Sequence, residues 1–560
     1  MLRYSARMHP SPWILTAAVA LLAGPGLAQD AVAIDCAAAD PDARLLVAER
    51  ALARGLWPLA AESYACAARD STDAALAERA TRGAFENFQL EAAAASAARW
   101  LELDPGREEA HRYRASSLLR LHRDAEALAH FAFVLDEAYD DRGQGFLALL
   151  STLNDEPNDL GAARVMESLA QRDPGLAEAQ YGRSVLWQRA ENGERALEAA
   201  RRALELRPGW RLAELAEVRA LLTLGRTDEG LARAAGLAAD GDPLSQLNQA
   251  WFLVGAGRET DASAVFEDLR RSQTAVVQAL EGLGTIAFSR RDNEAATRYF
   301  SELAQQNRLD ETALAYLGLI ADRQDNPAAA LRFLERVETG PRAVPSQLKA
   351  YQLMVRLGAP ERAEQTLAEF LSKSPESTRD VVVARANQLA GDGRSADAIA
   401  LLDRASAFYP DDDDLRLAKA FLLERDDRVR EAIVVMRDVL RRRPDDATTL
   451  NSLGYTLVDR TPRVREGYEL VLRAIEAKPD SYAIMDSVGW ALFRLERRAE
   501  AIEWLERAWQ RSRDPEVAAH LGEVFWAEGR RQEARDLWSE ALEDAPDNRT
   551  LQQTLERHPG

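Results

Sequence analysis

The chain has 560 residues, 47% of them apolar and 29% charged, and a formal net charge of -20. The apolar content is ample for an extended core, while a polyanion of this kind repels nucleic acid and anionic lipid head groups, which excludes nucleic acid as a partner. Length alone would suggest about three or four globular domains, but an internal periodicity described below replaces that count.

In chain order, Arg3 and Arg7 precede an apolar run from Trp13 to Ala23, followed by Gly24-Pro25 and the small-residue site Gly26-Leu27-Ala28. This pattern predicts a cleaved secretory signal over residues 1–28, cut between Ala28 and Gln29. The run is too short to span a bilayer comfortably, and no later stretch approaches that length, so direct membrane insertion is not expected. Removing the two arginines takes the net charge to -22. Lysine occurs only at Lys349, Lys373, Lys419 and Lys478. An Arg-dominated composition points to a GC-rich bacterial genome and so to the periplasm as the destination.

A short segment, 29–40, contains Cys36, preceded by Asp35 rather than by the small residue that a lipoprotein signal needs. The only other cysteine is Cys66. In an oxidising compartment the two are expected to pair, against the alternative of two buried thiols among alanines.

From here a ladder dominates. Ala60, Ala93, Ala127, Ala162, Ala196, Gly230, Ala262, Ala296, Ala330, Ala363, Ala398, Ala432, Gly467, Ala501 and Ala534 recur every 32 to 35 residues. Four residues on stands a bulky apolar side chain in most units, such as Tyr64, Phe131, Met166, Phe266, Phe300, Leu334, Leu402, Met436, Leu505 and Trp538; Ala97, Ala200 and Ala234 are the weak cases. A third apolar position at plus seven completes a helical stripe. Twelve residues beyond the small one, a proline recurs at Pro105, Pro174, Pro208, Pro375, Pro410, Pro444, Pro479 and Pro546 and separates successive helices. Asn326-Pro327 and Thr461-Pro462 read as a cap followed by Pro at the first helical position.

Two helices per unit of about 34 residues, with a small residue at their crossing, resemble the tetratricopeptide repeat (TPR). Leu521-Gly522, Phe525, Gly529, Ala534, Trp538, Ala541 and Pro546 show the pattern most fully. The resemblance implies an all-α, right-handed superhelical solenoid of about fifteen helix-turn-helix repeats over 41–548, with Leu551 and Leu555 of a terminal helix over 549–560 capping the stack. The stretch 338–346, with Pro341 and Pro345, interrupts the phase between the ninth and tenth units and is either a bend or a longer turn.

No catalytic constellation emerges. Gly282-Leu283-Gly284-Thr285-Ile286-Ala287 matches a loose dinucleotide fingerprint, but no strand precedes it and it reads as helix packing. Glu126, His130 and His122 lack a further convergent ligand and read as surface residues, so no metal and no cofactor is expected. Asp411 to Asp414 lack the alternating spacing of a calcium loop and read as negative charge at a helix N-terminus. Arg441-Arg442-Arg443 reads as a solvated helix C-terminus. The expectation is a non-enzyme.

Beyond the consensus, the strings NSLGYTLVDRTP, IMDSVGWALFRL and HLGEVFWAEGR between Asn451 and Asn548 resemble the C-terminal part of bacterial envelope TPR lipoproteins that partner carboxyl-terminal processing proteases. In the repeat family the first helix of each unit lines the groove. The resemblance therefore implies a partner-binding groove of Asn451, Tyr455, Asp486, Trp490, Phe493, Glu523 and Trp526, with aromatics gripping an extended peptide and carboxylates meeting its basic or amide groups. The three groove aromatics Tyr455, Trp490 and Trp526 read equally as inter-repeat core, while Asp486 and Asn451 read also as hydrogen-bonding partners between units. Trp504, Trp509 and Trp538 on second helices are expected in the core. Absence of a lipid-attachment cysteine departs from those lipoproteins, and the Lys, Asn and Arg set that clamps chaperone tails is missing. The implied function is a periplasmic protein-binding adaptor delivering substrates to such a protease, associated with the outer membrane through a partner; the alternative is an accessory scaffold in outer-membrane assembly or polysaccharide export.

Overall fold

The computed structural model describes residues 41–306, 310–546 and 548–558; the expected signal, its cleavage position at Ala28 and Gln29, and Cys36 lie outside them. Thirty-one α-helices and no strand occur among the described residues. Thirty of the helices form fifteen consecutive pairs, from Pro41–Leu52 with Trp57–Asp70 to Pro515–Ala527 with Arg531–Asp544, and Arg549–Arg557 follows as a single terminal helix.

All fifteen ladder residues are buried, and the bulky side chain one turn later is buried with them. Its target is a small residue on the first helix. A Cβ built on Gly489 would stand 2.5 Å from Leu505, and one on Gly454 would stand 2.6 Å from Val471. Helices therefore cross where one offers no side chain, and the other fills the space. In the second repeat, where the plus-four residue is only Ala97, Trp100 three positions on is buried and supplies the volume.

The same packing explains the dinucleotide-like segment. Gly282 and Gly284 lie inside the helix Val276–Ser289, Gly282 against Phe266 of the preceding repeat and Gly284 against Phe300 of its own, where an added Cβ would be 2.7 Å away.

Asn326 and Pro327 behave as expected, the Asn326 side chain accepting from the Ala329 amide at 3.1 Å with Pro327 at the first helical position. Thr461-Pro462 does not. That helix starts at Val464, and Thr461 Oγ1 instead accepts from the Arg463 amide at 3.0 Å, an ST-turn that delays the helix by two residues.

The irregular stretch 338–346 is a tied-down turn followed by the start of the helix Ala343–Arg356, which includes Pro345. Gln347, 3% exposed, donates from Nε2 to the carbonyls of Val337 at 2.9 Å and Glu335 at 3.2 Å, satisfying the end of the short helix Pro327–Leu334. Val337 is fully buried beside it.

The chain divides into two compact units. One comprises residues 41–117 and 231–418, the other 118–230 and 419–558. Neither division falls at 338–346, which lies within the first unit. Among the described residues, no helix is long and apolar enough to cross a membrane.

Candidate functional site

The seven residues implied as a groove lie on the first helices of the last three repeats, Ala447–Arg460, Tyr482–Arg494 and Pro515–Ala527. Their environments differ. Asp486 is 8% exposed and Trp490 9%, whereas Asn451, Tyr455, Phe493, Glu523 and Trp526 are half-buried.

At the centre is His520, which the sequence reading left out. Its Nδ1 is 2.9 Å from both carboxylate oxygens of Asp486 on the preceding repeat. Its ring stacks on Trp490 at 4.4 Å between centroids and 21° between planes. On the other side, its Nε2 is 3.5 Å from the Tyr455 hydroxyl, two repeats away. The imidazole thus joins three consecutive repeats. The Trp490 indole N–H in turn donates to Asp459 at 3.2 Å, and Phe493 packs on the indole at 5.3 Å.

Electrostatics of this cluster follow from its carboxylates. Burial by itself would lower the pKa of His520, but Asp486, with help from Glu516 and Asp459, outweighs it and raises the value above that of an ordinary histidine. Burial pushes the Tyr455 phenol far above its usual range, and Asp459, Asp486, Glu516 and Glu424 push the same way. Burial also raises the Glu424 carboxyl, although the Thr456 hydroxyl donates to it at 2.8 Å. The first helices of the last four repeats therefore concentrate negative potential on one tyrosine and one imidazole.

Asp486 bonds from one repeat to the next through the His520 ring. Trp490 likewise stands in the stack rather than open to solvent. The last two groove residues have partners at the C-terminal end of the stack. Glu523 pairs with Arg557 at 2.7 Å, and Trp526 lies 4.8 Å from the His558 ring and 6.0 Å from Trp538. Asn451 stays distinct, its side-chain oxygen buried without a hydrogen-bond partner among the described residues. Trp538 and Trp509 are core as expected; Trp504 is half-buried, with Arg507 4.3 Å over its ring.

The other candidates resolve simply. Glu126 is bound by Arg123 at 2.7 Å through both oxygens. Among the described residues, no group of three His, Cys, Asp or Glu side chains is placed to hold a metal ion. Asp412 accepts from the amides of Asp414 and Leu415 at 3.0 and 3.2 Å and pairs with Arg379, so the acidic run serves a helix start. Arg441 and Arg442 both pair with Asp438 one turn back.

Sequence comparison agrees with the architecture. Family models described as tetratricopeptide repeat match residues 281–347 and 389–453. A TPR repeat-containing protein of Pseudomonas aeruginosa is 30% identical over 487 residues, covering 86% of this chain and 81% of its own. Among solved structures, yeast Tom70 aligns over 92% of this chain and 93% of its own at 14% identity and a TM-score of 0.33. The Cut9–Hcn1 hetero-tetramer of the APC/C aligns over 93% and 97% at 13% identity and 0.32. The helix pairs, the small-residue crossings and the relative in Pseudomonas aeruginosa together establish that this chain belongs to the tetratricopeptide repeat proteins, whose fold is a non-catalytic scaffold for binding proteins and peptides.

Proposed function

We propose that the protein is a periplasmic adaptor which holds an extended protein segment on the first helices of its C-terminal repeats and presents it to a carboxyl-terminal processing protease. The observation that carries the reading is the conjunction around Tyr455 and His520. Four carboxylates from four successive repeats converge beside half-buried aromatic rings. Such a surface favours a segment with basic or amide side chains, because carboxylates attract them and rings pack on their aliphatic stems.

Holding enzyme and substrate together turns a bimolecular encounter into a local one, so even modest affinities would raise the rate of delivery. The test is affinity capture from a periplasmic extract with the full-length mature protein and with a Phe493→Ala, Asn451→Ala variant of unchanged helical content. These two are chosen because they are half-buried and lie outside the His520–Asp486 pair. Retention of a processing protease or its substrates by the parent, with at least a roughly tenfold loss in the variant, is the expected result. Capture of an outer-membrane barrel or a polysaccharide synthase in place of a protease would favour the assembly or export role.

Secretion and the cysteine pair belong to the same proposal. The mature chain is expected to begin at Gln29 and to carry a Cys36–Cys66 disulfide, checked by intact mass before and after reduction and alkylation. Cys66 is 4% exposed on the second helix of the first repeat, and no free thiol occurs among the described residues. Cys66→Ala should cost about 3–4 kcal/mol on a chain-entropy estimate, felt in the first repeat. A chain that retains Met1 in the secreted fraction, or two alkylatable thiols without reduction, would refute this part.

A further inference from the structure

Six of the inter-repeat turns carry a proline pair of one of two kinds. Early repeats have Pro-Gly, at Pro105-Gly106, Pro174-Gly175 and Pro208-Gly209; later repeats have Pro-Asp, at Pro410-Asp411, Pro444-Asp445 and Pro479-Asp480. No core requirement distinguishes them, because both end one helix pair and begin the next. The aspartates have another use.

In the unit containing residues 118–230 and 419–558, Asp480 reaches a helix 287 residues earlier. One carboxylate oxygen accepts from the backbone amide of Gly193 at 2.5 Å, and the other accepts from Arg511 at 2.7 Å. Gly193 opens the helix Gly193–Leu206, whose own cap, Asn192, reaches only the Arg195 amide. A Cβ at Gly193 would sit 3.0 Å from the Asp480 oxygen, so the approach depends on glycine. Around this point the Asp480 amide donates to the Glu191 carbonyl at 3.2 Å, and Lys478 pairs with the Glu191 carboxylate at 2.8 Å. Arg511 donates also to the Thr223 carbonyl. Asp445, from the preceding Pro-Asp turn, lies 3.8 Å from Arg164.

The other unit repeats the device. Asp411 accepts from the Glu91 amide at 3.1 Å, across 320 residues. Glu91 lies in the first turn of the helix Leu90–Leu103, whose N-cap Gln89 makes no side-chain capping bond to it. Gln89 Nε2 instead donates to the Phe408 carbonyl at 3.1 Å, and Phe88 meets Tyr409 edge-on at 6.2 Å.

We infer that the Pro-Asp turns are polar latches: each unit closes by docking such a turn on the start of a second helix from an early repeat, and the latch opens and recloses while the repeats on both sides stay folded. Two features support the separation of opening from unfolding. Every repeat buries its apolar stripe against sequence neighbours, so parting the latch exposes no ladder residue. The Asp480 contacts are hydrogen bonds and ion pairs, which trade places with water at small net cost, whereas a core contact does not. A carboxylate at a helix start satisfies free amides and the positive end of the helix dipole, which gives the closed form its preference.

The test is native-state hydrogen exchange on the full-length protein, reading the amides of Gly193 and Asp480 against interior amides of the helix Arg498–Arg511. Glu191→Lys and Lys478→Glu, each alone, should speed exchange at the two latch amides by roughly tenfold while leaving the helix interior unchanged. The double charge exchange should return both amides to within about twofold of the parent. Unchanged exchange in the single variants, failure of the double variant to restore protection, or faster exchange throughout the flanking repeats would each overturn the inference. Asp480→Asn supplies an independent reading, since it weakens the bonds to Gly193 and Arg511 without touching the Lys478–Glu191 pair; it too should speed exchange at the two latch amides and leave the helix interior unchanged.

Discussion

Trp538→Ala should destabilise the C-terminal repeats by about 3–5 kcal/mol, the usual cost of emptying a large aromatic site in a core. Trp538 is completely buried, covers the side-chain-free face of Gly522, and stacks on His558 at 5.5 Å and 12°. Its loss therefore opens a cavity at the joint between the last helix pair and the terminal helix. Because a repeat stack is stabilised by neighbour-to-neighbour interfaces, the damage should be local at first. In guanidinium titrations followed by tryptophan emission, an early transition confined to the last repeats should separate from the main one. Trp504→Ala, removing a half-buried ring, should cost less than about 2 kcal/mol and leave a single transition. Equal losses for the two variants would show that the phase of the ladder, and not burial, has been misread.

The second large effect is at His520 and Asp486. Replacing Asp486 with alanine leaves a buried imidazole facing Trp490 without its anion, and breaking a buried pair in this way costs about 3–5 kcal/mol. The pair also makes stability depend on pH, with a definite sign. His520 has a higher pKa folded than unfolded, so the folded state holds the proton more tightly. Its contribution is complete below the unfolded value near 6.5 and is lost as pH rises through the folded value. The last repeats should accordingly be more stable at about pH 6 than at about pH 9. His520→Gln should remove this part of the pH dependence, and Asp486→Asn should shrink it. A parent protein whose C-terminal transition is as stable at the higher pH would contradict the assignment of the raised pKa to Asp486.

The two effects show where sequence reading works. The ladder from Ala60 to Ala534 located fifteen helix pairs because the crossing of two helices has a single steric demand, met at one fixed offset in every unit. Gly284, Gly454, Gly489 and Gly522 meet the same demand from the opposite helix. Thr461-Pro462 misled because a threonine before proline serves an ST-turn as readily as a cap, and only the backbone course distinguishes them.

The candidate site was legible in outline and not in detail. Tyr455, Asp486, Trp490 and Phe493 do gather on adjacent first helices. His520 was missed because a lone histidine carries no spacing signal; its meaning comes from a carboxylate 34 residues away and an indole between them. Glu523 was read as groove charge, yet Arg557 from the terminal helix neutralises it.

What the sequence by itself determined is the repeat: its length, its helices, the residues at each crossing and hence the family, all consequences of interactions between near neighbours along the chain. Only the tertiary structure decided which carboxylates meet a cation and which early helix a late Pro-Asp turn reaches. Those contacts join residues 287 and 320 positions apart. Their partners depend on small rotations accumulated over many repeats, a sum that no local pattern of residues encodes.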